Sequence, residues 1–470
     1  MINPSIFRQY DIRGIVHKDF SPEDAFCIAQ SITEYAQEQN IKLTTLVVGR
    51  DAREHSEDIF EHFTRGCKEL GVNIVDIGVV ATPVLYFTLN TTGYAHGVMI
   101  TASHNPAEYN GFKICFNRKS LYGNAIKRIG EIAQKQLPQI PAVNFGTTKN
   151  YDALSKYINY LTFEFDHLKN LNRSIIFDCN SGPAALIIPT LIGKLNWKHA
   201  KTLHEIIDGT FPHQKPDPTV EKNGQILKQK ISNAPVSTIG IAFDGDADRM
   251  AARTEKGDLI SGDTMLAVLS KQVLYDFPNA HIVFDIKSSN SLTQTILKYG
   301  GVPIMSPTGH SNIKVSMAAH NALLGGELSG HFFFADKSFG YDDGIYAALR
   351  LIEYLETNKK TLSDEVALIP KSICTPELRI PCAENKKTTI IEAVTSYFEA
   401  AQNSKIITID GVRIEKNYGW GILRASNTEP LLSLRFEGET TEGLQHIKKD
   451  FLEILETCMN KEDLTKHFSS

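Results

Sequence analysis

The sequence has few cysteines, and they are not grouped. Its 470 residues include seven, and no two of them form a Cys-x-x-Cys pair. Disulfide-stapled secreted domains and structural zinc sites both need cysteines at close, regular spacing. We therefore expect reduced thiols that pack as small apolar side chains in a cytosolic protein.

The sequence also lacks a long apolar run and an excess of positive charge. No stretch approaches the roughly 20 apolar residues of a transmembrane helix, and charges interrupt MINPSIFRQYDIRG where a signal peptide has its apolar core. The formal net charge of -5 provides no basic surface for nucleic acid or for an anionic membrane. These absences predict a cytoplasmic protein that binds neither, and we expect a monomer or a weak dimer.

What the sequence does contain is an alternation of helix and strand patterns, on a chain too long for one core. LTTLVVG is typical of a buried strand, and the apolar spacing from His55 to Leu70 is typical of a helix that stops at Gly71. Strands separated by helices favour a mostly parallel sheet. The pattern restarts twice and changes after about residue 370. We predict an α/β protein with three similar α/β domains, at residues 1–150, 151–256 and 257–369, and a smaller α+β domain at residues 370–470.

Polar residues crowd the stretch TASHNPAEYNGFK, Thr101 to Lys113, which follows the strand-like run AHGVMI. Open α/β sheets place ligands where such strands end. Asn105-Pro106 fixes the following turn, and we expect it to hold Ser103 on an exposed shoulder. Ser103 there is a candidate nucleophile or carrier of a covalent phosphate, although an ordinary polar turn accounts for the stretch taken alone.

Three carboxylates alternate with small residues in FDGDADR, Phe243 to Arg249, directly after the strand-like STIGIAF. Asp244, Asp246 and Asp248 would repel one another without a cation, and oxygen ligands select Mg²⁺ or Ca²⁺. An EF-hand is excluded because Arg249 stands where its loop requires glycine. The alternative is a solvated acidic turn.

Two further stretches carry polar groups. In GGELSGHFFF, a strand-like conformation would aim Glu327, Ser329 and His331 to one side, which suits sugar hydroxyls, although a polar edge strand explains the pattern as well. RASNTEP gathers Arg424, Ser426, Asn427 and Thr428, and arginine with hydroxyls and backbone N–H groups is the usual chemistry for a phosphate dianion. A serine, a metal loop, a sugar loop and an anion loop, one per domain, together indicate phosphoryl transfer on a phosphorylated substrate.

With these motifs the chain resembles the α-D-phosphohexomutase superfamily, and within it the bacterial phosphomannomutase/phosphoglucomutase group. The resemblance runs from FRQYDIRG to RASNTEP in the expected order, with TASHNP and DGDADR as its most specific motifs. It implies three similar α/β domains and a fourth that is like the TATA-binding protein, around a central cleft. Where the family's metal loop commonly reads DGDGDR, this chain has Ala247, which is tolerable if its φ is negative.

Carried over by motif, the resemblance implies that Ser103 becomes phosphorylated and contributes with Asp244, Asp246 and Asp248 to a Mg²⁺ site. Lys113, Arg13, His104 and His331 would supply proton transfer and charge, with the choice among them open. Glu327 and Ser329 would hold the sugar, and the Arg424 loop the non-reacting phosphate. Further motif residues would line the cleft, each with a structural role as the alternative: Tyr10, Arg249, Lys287, Gly309, His310 and Asp343.

The implied reaction has two steps. Phosphoserine 103 gives its phosphate to a hexose 1- or 6-phosphate, and the resulting 1,6-bisphosphate reorients and returns its other phosphate. Glucose or mannose 1,6-bisphosphate would act as activator. Leu328 stands where phosphoglucosamine mutases commonly have Gln in GEQSGH, which favours mannose and glucose phosphates over glucosamine phosphate. A serine phosphatase and a non-catalytic sugar-phosphate-binding protein remain as alternatives from other classes.

Overall fold

The structure is a computed structural model that describes residues 2–135, 142–426, 430–461, 464 and 468. Its strands are, in chain order, β1 (Ile12–Ile15), β2 (Thr45–Arg50), β3 (Asn73–Val79), β4 (Gly97–Ile100), β5 (Tyr109–Phe116), β6 (Lys119–Ser120), β7 (Thr148–Asn150), β8 (Ile175–Asp178), β9 (Ala200–Leu203), β10 (Ile239–Phe243), β11 (Met250–Arg253), β12 (His281–Asp285), β13 (Val302–Ser306), β14 (Leu324–Gly326), β15 (Phe332–Phe334), β16 (Ile373–Cys374), β17 (Leu378–Pro381), β18 (Lys405–Ile407), β19 (Val412–Lys416), β20 (Gly419–Ala425) and β21 (Leu431–Gly438).

The helices are α1 (Asp24–Glu38), α2 (Ser56–Glu69), α3 (Thr82–Thr91), α4 (Asn124–Lys135), α5 (Ala153–Glu164), α6 (Ala184–Lys194), α7 (Gln225–Ser232), α8 (Gly262–Asp276), α9 (Asn290–Lys298), α10 (His310–His320), α11 (Gly344–Asn358), α12 (Leu362–Ala367), α13 (Glu384–Ala401) and α14 (Thr441–Cys458). Among the described helices, none is both long enough and apolar enough to cross a membrane. The chain divides into two compact units, Met1–Met265 with Ser329–Val366, and Leu266–Leu328 with Ala367–Ser470.

The first unit contains two mixed sheets. One has the order β1-β5-β4-β2-β3-β7, in which β4, β2, β3 and β7 run parallel and β5 runs against both of its main neighbours. The other has the order β11-β10-β8-β9, parallel except for β11. β4 and β10 are fully buried, as the apolar runs of parallel strands are. β4 is followed by the polar loop that contains Ser103, and β10 by the loop that contains Asp244, Asp246 and Asp248.

The second unit contains parallel pairs and an antiparallel sheet. β12 pairs parallel with β13 and with β14. The last sheet has the order β16-β21-β20-β19-β18, with β17 also on β21, and all of its pairs are antiparallel. Apolar side chains of α13 and α14 share one core with it, among them Val394 and Phe451. Mostly parallel α/β sheets followed by an α+β sheet confirm the predicted fold class.

Candidate active site

Ser103 lies three residues after β4, in a loop that we call the Ser103 loop (residues 101–109). Its Oγ donates a hydrogen bond of 2.9 Å to Asp244 Oδ2 and lies 3.2 Å from His104 Nδ1. The expectation of an exposed shoulder is wrong, because Ser103 is only 1% exposed and packs against the loop that follows β10. The structure thus brings the candidate nucleophile directly to the carboxylate cluster.

The three carboxylates after β10 converge as the sequence predicts. One oxygen from each of Asp244, Asp246 and Asp248 lies within 4.8 Å of the others, and all three side chains are 0% exposed. Burial and repulsion from Asp246 and Asp248 hold the pKa of Asp244 well above its usual range. A third negative charge is therefore unfavourable here unless a cation binds.

Lys113 was predicted as a catalytic residue, but its pairing with this carboxylate cluster was not. Its Nζ donates 2.7 Å to Asp246 Oδ2 and also contacts Asp248. Burial lowers the pKa of Lys113, but Asp246 and Asp248 outweigh it, so the pKa lies above the usual value. Lys113 stands on β5, opposite Met99 near the end of β4. Lys113 and Arg249 together balance two of the three carboxylate charges.

The residues of the cluster fit a hard cation. Asp246 Oδ1 is buried and accepts no hydrogen bond from the described residues, and the candidate metal ligands are carboxylate oxygens, which Mg²⁺ prefers. Asp246 Oδ2 is oriented by Thr82, whose hydroxyl donates to it at 2.6 Å. The described residues therefore contain three oriented carboxylates that can hold a metal ion.

Arg249 and His331 continue the site within the first unit. Arg249 Nε lies 3.7 Å from Asp244 and donates to His331 Nε2 at 3.2 Å. His331 Nε2 also lies 3.4 Å from Asp248 Oδ1, and its Nδ1 lies 3.0 Å from Ser329 Oγ. His331 is held between a cation, a carboxylate and a hydroxyl, an arrangement that fits a proton carrier.

The predicted strand-like alternation of Glu327, Ser329 and His331 is wrong. β14 ends at Gly326, residues 328–330 form a turn, and Gly330 takes a φ of +86°. Glu327 instead accepts a hydrogen bond of 2.6 Å from the backbone N–H of Gly309. The strand does not continue through these residues, because Gly330 adopts a backbone conformation that a strand does not.

Ala247 also departs from its expectation. Its φ is +59°, in the left-handed region, so the condition of a negative φ does not hold. The backbone N–H of Ala247 donates to Asp244 O, which closes the turn that points the carboxylates together. An alanine there adopts a conformation that favours glycine.

Other predicted residues of the first unit lie around the Ser103 loop or apart from it. Arg13 Nη1 donates 2.8 Å to Asn105 Oδ1 and pairs with Asp11, and Tyr10 is half-buried in the turn before β1. Burial and the positive charges of Arg249 and Arg13 hold the pKa of His104 well below its usual range.

Asp343, another predicted residue, caps α11. It accepts hydrogen bonds from Tyr346 N and from the hydroxyl of Tyr157, which gives it a structural role.

In the second unit, predicted residues gather around Asp410 and Glu377, which sequence reasoning did not select. Asp410 Oδ2 accepts from Thr308 N and from Arg424 Nε, both at 2.9 Å. Gly309 has a φ of +119° and precedes His310, the first residue of α10. The only signal for Asp410 was an ordinary Asp-Gly turn, which carries no hint of a phosphate loop.

The remaining predicted residues of this unit are Lys287, Ser426, Asn427 and Thr428. Lys287 Nζ lies 3.5 Å from Glu377, whose pKa falls to about 2 because Lys287, Ser433 and Arg424 outweigh burial. Ser426 O accepts from Lys387 Nζ at 2.8 Å. Asn427 and Thr428 lie outside the described residues. Arg424, Lys287 and Lys387 are cations that could bind an anion, and each of them pairs here with a carboxylate, of Asp410, Glu377 and Glu384 respectively.

Known proteins similar to this chain cover nearly its whole length. Residues 4–139, 155–257 and 261–372 match the alpha/beta/alpha domains I, II and III of phosphoglucomutase/phosphomannomutase, and residues 377–454 match the C-terminal domain. A phosphoglucomutase of Neisseria meningitidis is 38% identical over 461 residues, which cover 97% of each chain. A phosphomannomutase/phosphoglucomutase of Pseudomonas aeruginosa is 38% identical over 447 residues, 95% of this chain and 94% of that protein.

The fold is also that of solved structures. A crystal structure of a phosphoglucomutase/phosphomannomutase family protein from Burkholderia thailandensis has a TM-score of 0.86 to this chain at 32% identity, covering 97% of this chain and 98% of that one. These matches confirm the resemblance carried by the sequence motifs. The chain belongs to the phosphoglucomutase/phosphomannomutase family.

Proposed function

We propose that the protein is an isomerase, a phosphohexomutase that interconverts hexose 1-phosphate and hexose 6-phosphate of mannose, glucose or both. The observation that carries the proposal is the hydrogen bond of 2.9 Å from Ser103 Oγ to Asp244, at the edge of three buried carboxylates. Relatives named phosphoglucomutase and phosphomannomutase/phosphoglucomutase, 38% identical along the chain, support it.

In the proposed reaction, phosphorylated Ser103 transfers its phosphoryl group to the free hydroxyl of a hexose monophosphate. The P–O bond to Ser103 breaks and a new P–O bond forms on the sugar. The hydroxyl proton passes to a nearby base, with His104 and His331 as candidates, and Ser103 Oγ takes up a proton, for which the protonated Lys113 is a candidate donor. The resulting 1,6-bisphosphate turns over and returns its other phosphoryl group to Ser103. Added glucose or mannose 1,6-bisphosphate would re-phosphorylate an enzyme that has lost its intermediate.

The proposed cofactor is Mg²⁺, held by Asp244, Asp246, Asp248 and the phosphorylated Ser103. When bound, it would neutralise charge on the phosphoryl oxygens. Arg249 and Lys113 supply further positive charge beside the same carboxylates. We assign the sugar hydroxyls to Glu327 and Ser329 and the non-reacting phosphate to the Arg424 loop (residues 424–428).

The test is a coupled assay of the purified protein on mannose, glucose and glucosamine 1-phosphates. We expect conversion of the first two to the 6-phosphates, without release of inorganic phosphate. Preferred conversion of glucosamine 1-phosphate would support the alternative mutase. Release of inorganic phosphate would support a phosphatase, and no turnover would support a binding protein.

Intact-mass analysis should also show a phosphorylated fraction of the protein that disappears in Ser103→Ala. Near wild-type turnover of that variant would remove Ser103 from the reaction.

A further inference from the structure

We infer that Arg53 is a positioning residue for the proposed phosphoryl transfer, because it fixes the backbone from which Ser103 projects. Arg53 lies between β2 and α2 and is 2% exposed. It was not among the residues predicted from motifs. The inference rests on the proposed function only for its kinetic consequence, whereas the structural claim concerns the Ser103 loop itself.

The guanidinium of Arg53 uses all of its donors. A guanidinium has five N–H groups in a rigid plane. Here Nε donates to a carboxylate and the two terminal nitrogens donate to four carbonyl oxygens of the Ser103 loop, the partners and distances being Asp51 Oδ2 (3.0 Å), Pro106 O (2.5 Å), Tyr109 O (3.0 Å), Ser103 O (2.8 Å) and Asn105 O (2.7 Å). One side chain therefore holds the Ser103 loop from its first turn to the start of β5.

Asp51 ties the same network to Ser103 a second time. Its carboxylate accepts from the hydroxyl of Thr101 at 2.7 Å, and Thr101 Oγ accepts from the backbone N–H of Ser103 at 2.9 Å. Ser56 donates to the other carboxylate oxygen at 2.8 Å. The side chains of Arg53 and Asp51 are both 0% exposed, so water does not compete for these bonds.

The backbone of Ser103 needs such support. Its φ of +51° lies in the left-handed region, which is strained for a residue other than glycine and persists only where the surroundings enforce it. Arg53 binds the carbonyl oxygen of that residue, and Thr101 binds its N–H. Both peptide groups of Ser103 are thus held, which fixes the direction of Oγ toward Asp244.

Lysine cannot replace this arrangement. A lysine at residue 53 would keep the positive charge, but its three donors on one nitrogen cannot reach five acceptors spread over a plane. At least two of these five acceptors would lose their donor, and at least one of the two would be a carbonyl oxygen of the Ser103 loop. The guanidinium plane beside the Phe211 ring, 5.1 Å from its centroid, would also be lost. The loop should then loosen while charge and substrate contacts remain.

The experiment compares Arg53→Lys with Arg50→Lys in the full-length protein. Arg50 is a matched control, because it is a buried arginine at the end of β2 whose guanidinium bonds instead to Glu57 and Asp76. For Arg53→Lys we expect kcat to fall about ten- to a hundredfold with KM within about threefold, since small misplacements of a reacting group have effects of this size. Backbone hydrogen exchange across residues 101–110 should be about tenfold faster or more, whereas exchange in the carboxylate loop (residues 244–249) should not change. Arg50→Lys should alter neither.

Unchanged kcat and unchanged exchange in Arg53→Lys would overturn the inference, as would equal effects of the two substitutions. If Arg53→Lys does not fold, Asp51→Asn takes its place, because it loosens the anchor of Arg53 Nε, and the same local increase in exchange is expected. Failure of the wild-type protein to interconvert hexose phosphates would sink the proposed function, and the exchange measurement would still decide whether Arg53 holds the loop.

Discussion

Ala247 shows how much strain a single residue adds to the carboxylate loop. A left-handed φ costs alanine roughly 1–2 kcal/mol. Glycine would relieve that cost, but it would lose about 0.8 kcal/mol of methyl burial and about 0.5–1 kcal/mol of chain entropy. Because these effects nearly cancel at a side chain that is 0% exposed, alanine is tolerated here despite its φ of +59°.

We therefore expect Ala247→Gly to change the free energy of unfolding by less than about 1 kcal/mol and to keep activity, while Ala247→Val loses most activity. Valine is β-branched and strongly disfavours positive φ, so it should turn the loop and separate the carboxylates. Thermal melting and the coupled assay on both variants check this. Wild-type activity of the valine variant would contradict the left-handed turn.

At the scale of an element, the loop after β10 depends on charge more than on sequence-local structure. Its three carboxylates are 0% exposed, so the alternative of a solvated acidic turn does not hold. Lys113 and Arg249 leave one carboxylate charge unbalanced. A divalent cation should bind here and stabilise the loop as well as the reaction.

Chelation should abolish activity, and added Mg²⁺ should restore it. Asp246→Asn should lower kcat about a hundredfold or more and weaken Mg²⁺ binding measured by calorimetry, because it removes a ligand charge. Asp258→Asn, an exposed carboxylate in the turn after β11, is the charge-matched control and should behave as wild type. Full activity in excess EDTA would end the assignment of this loop to a metal.

The cap of α11 makes a separate, pH-dependent contribution. Burial raises the pKa of Asp343 to about 7, against 3.8 for the unperturbed group. Between these values the folded protein binds a proton that the unfolded chain releases, so the free energy of unfolding falls as pH rises, by about 1.4 kcal/mol per pH unit for one group. The contribution is complete below about pH 4 and lost as pH rises through about 7.

Melting temperatures of the wild-type protein and of Asp343→Asn, measured from pH 5 to pH 8, should reveal this group. We expect the wild type to lose several degrees relative to the variant over that range, because asparagine keeps the acceptor for Tyr157 and has no proton to lose. Parallel curves for the two proteins would show that Asp343 is already ionised at pH 5.

At the scale of the whole molecule, the sequence predicted the elements and loops better than the contacts between them. Ser103, Asp244, Asp246 and Asp248 were predictable because each follows a buried parallel strand, and such strands end at one edge of a sheet. Lys113 against Asp246 was not, since that contact joins residues 133 positions apart. Arg53 was missed for the same reason: its five acceptors are a tertiary feature without a motif.

The Arg424 loop tests the function of the molecule as a mutase. In both half-reactions it should bind the phosphate that does not react, whichever end of the sugar is transferred. In the structure Arg424 pairs with Asp410. A charged hydrogen bond from its guanidinium to a phosphate would contribute about 1.5–3 kcal/mol. Because each 1.4 kcal/mol is tenfold, Arg424→Ala should weaken binding of both 1- and 6-phosphates about ten- to a hundredfold.

The same substitution should increase the dependence on added glucose 1,6-bisphosphate, because a bisphosphate that escapes leaves Ser103 without its phosphate. Steady-state kinetics with each monophosphate, with and without bisphosphate, measure both effects. Lys405→Ala is the control, since it removes a positive charge from the same unit at a side chain that is 70% exposed. A purely structural last domain predicts lower thermal stability with normal kinetics. Unchanged affinity for both phosphates in Arg424→Ala would remove this loop from substrate binding, whatever Ser103 does.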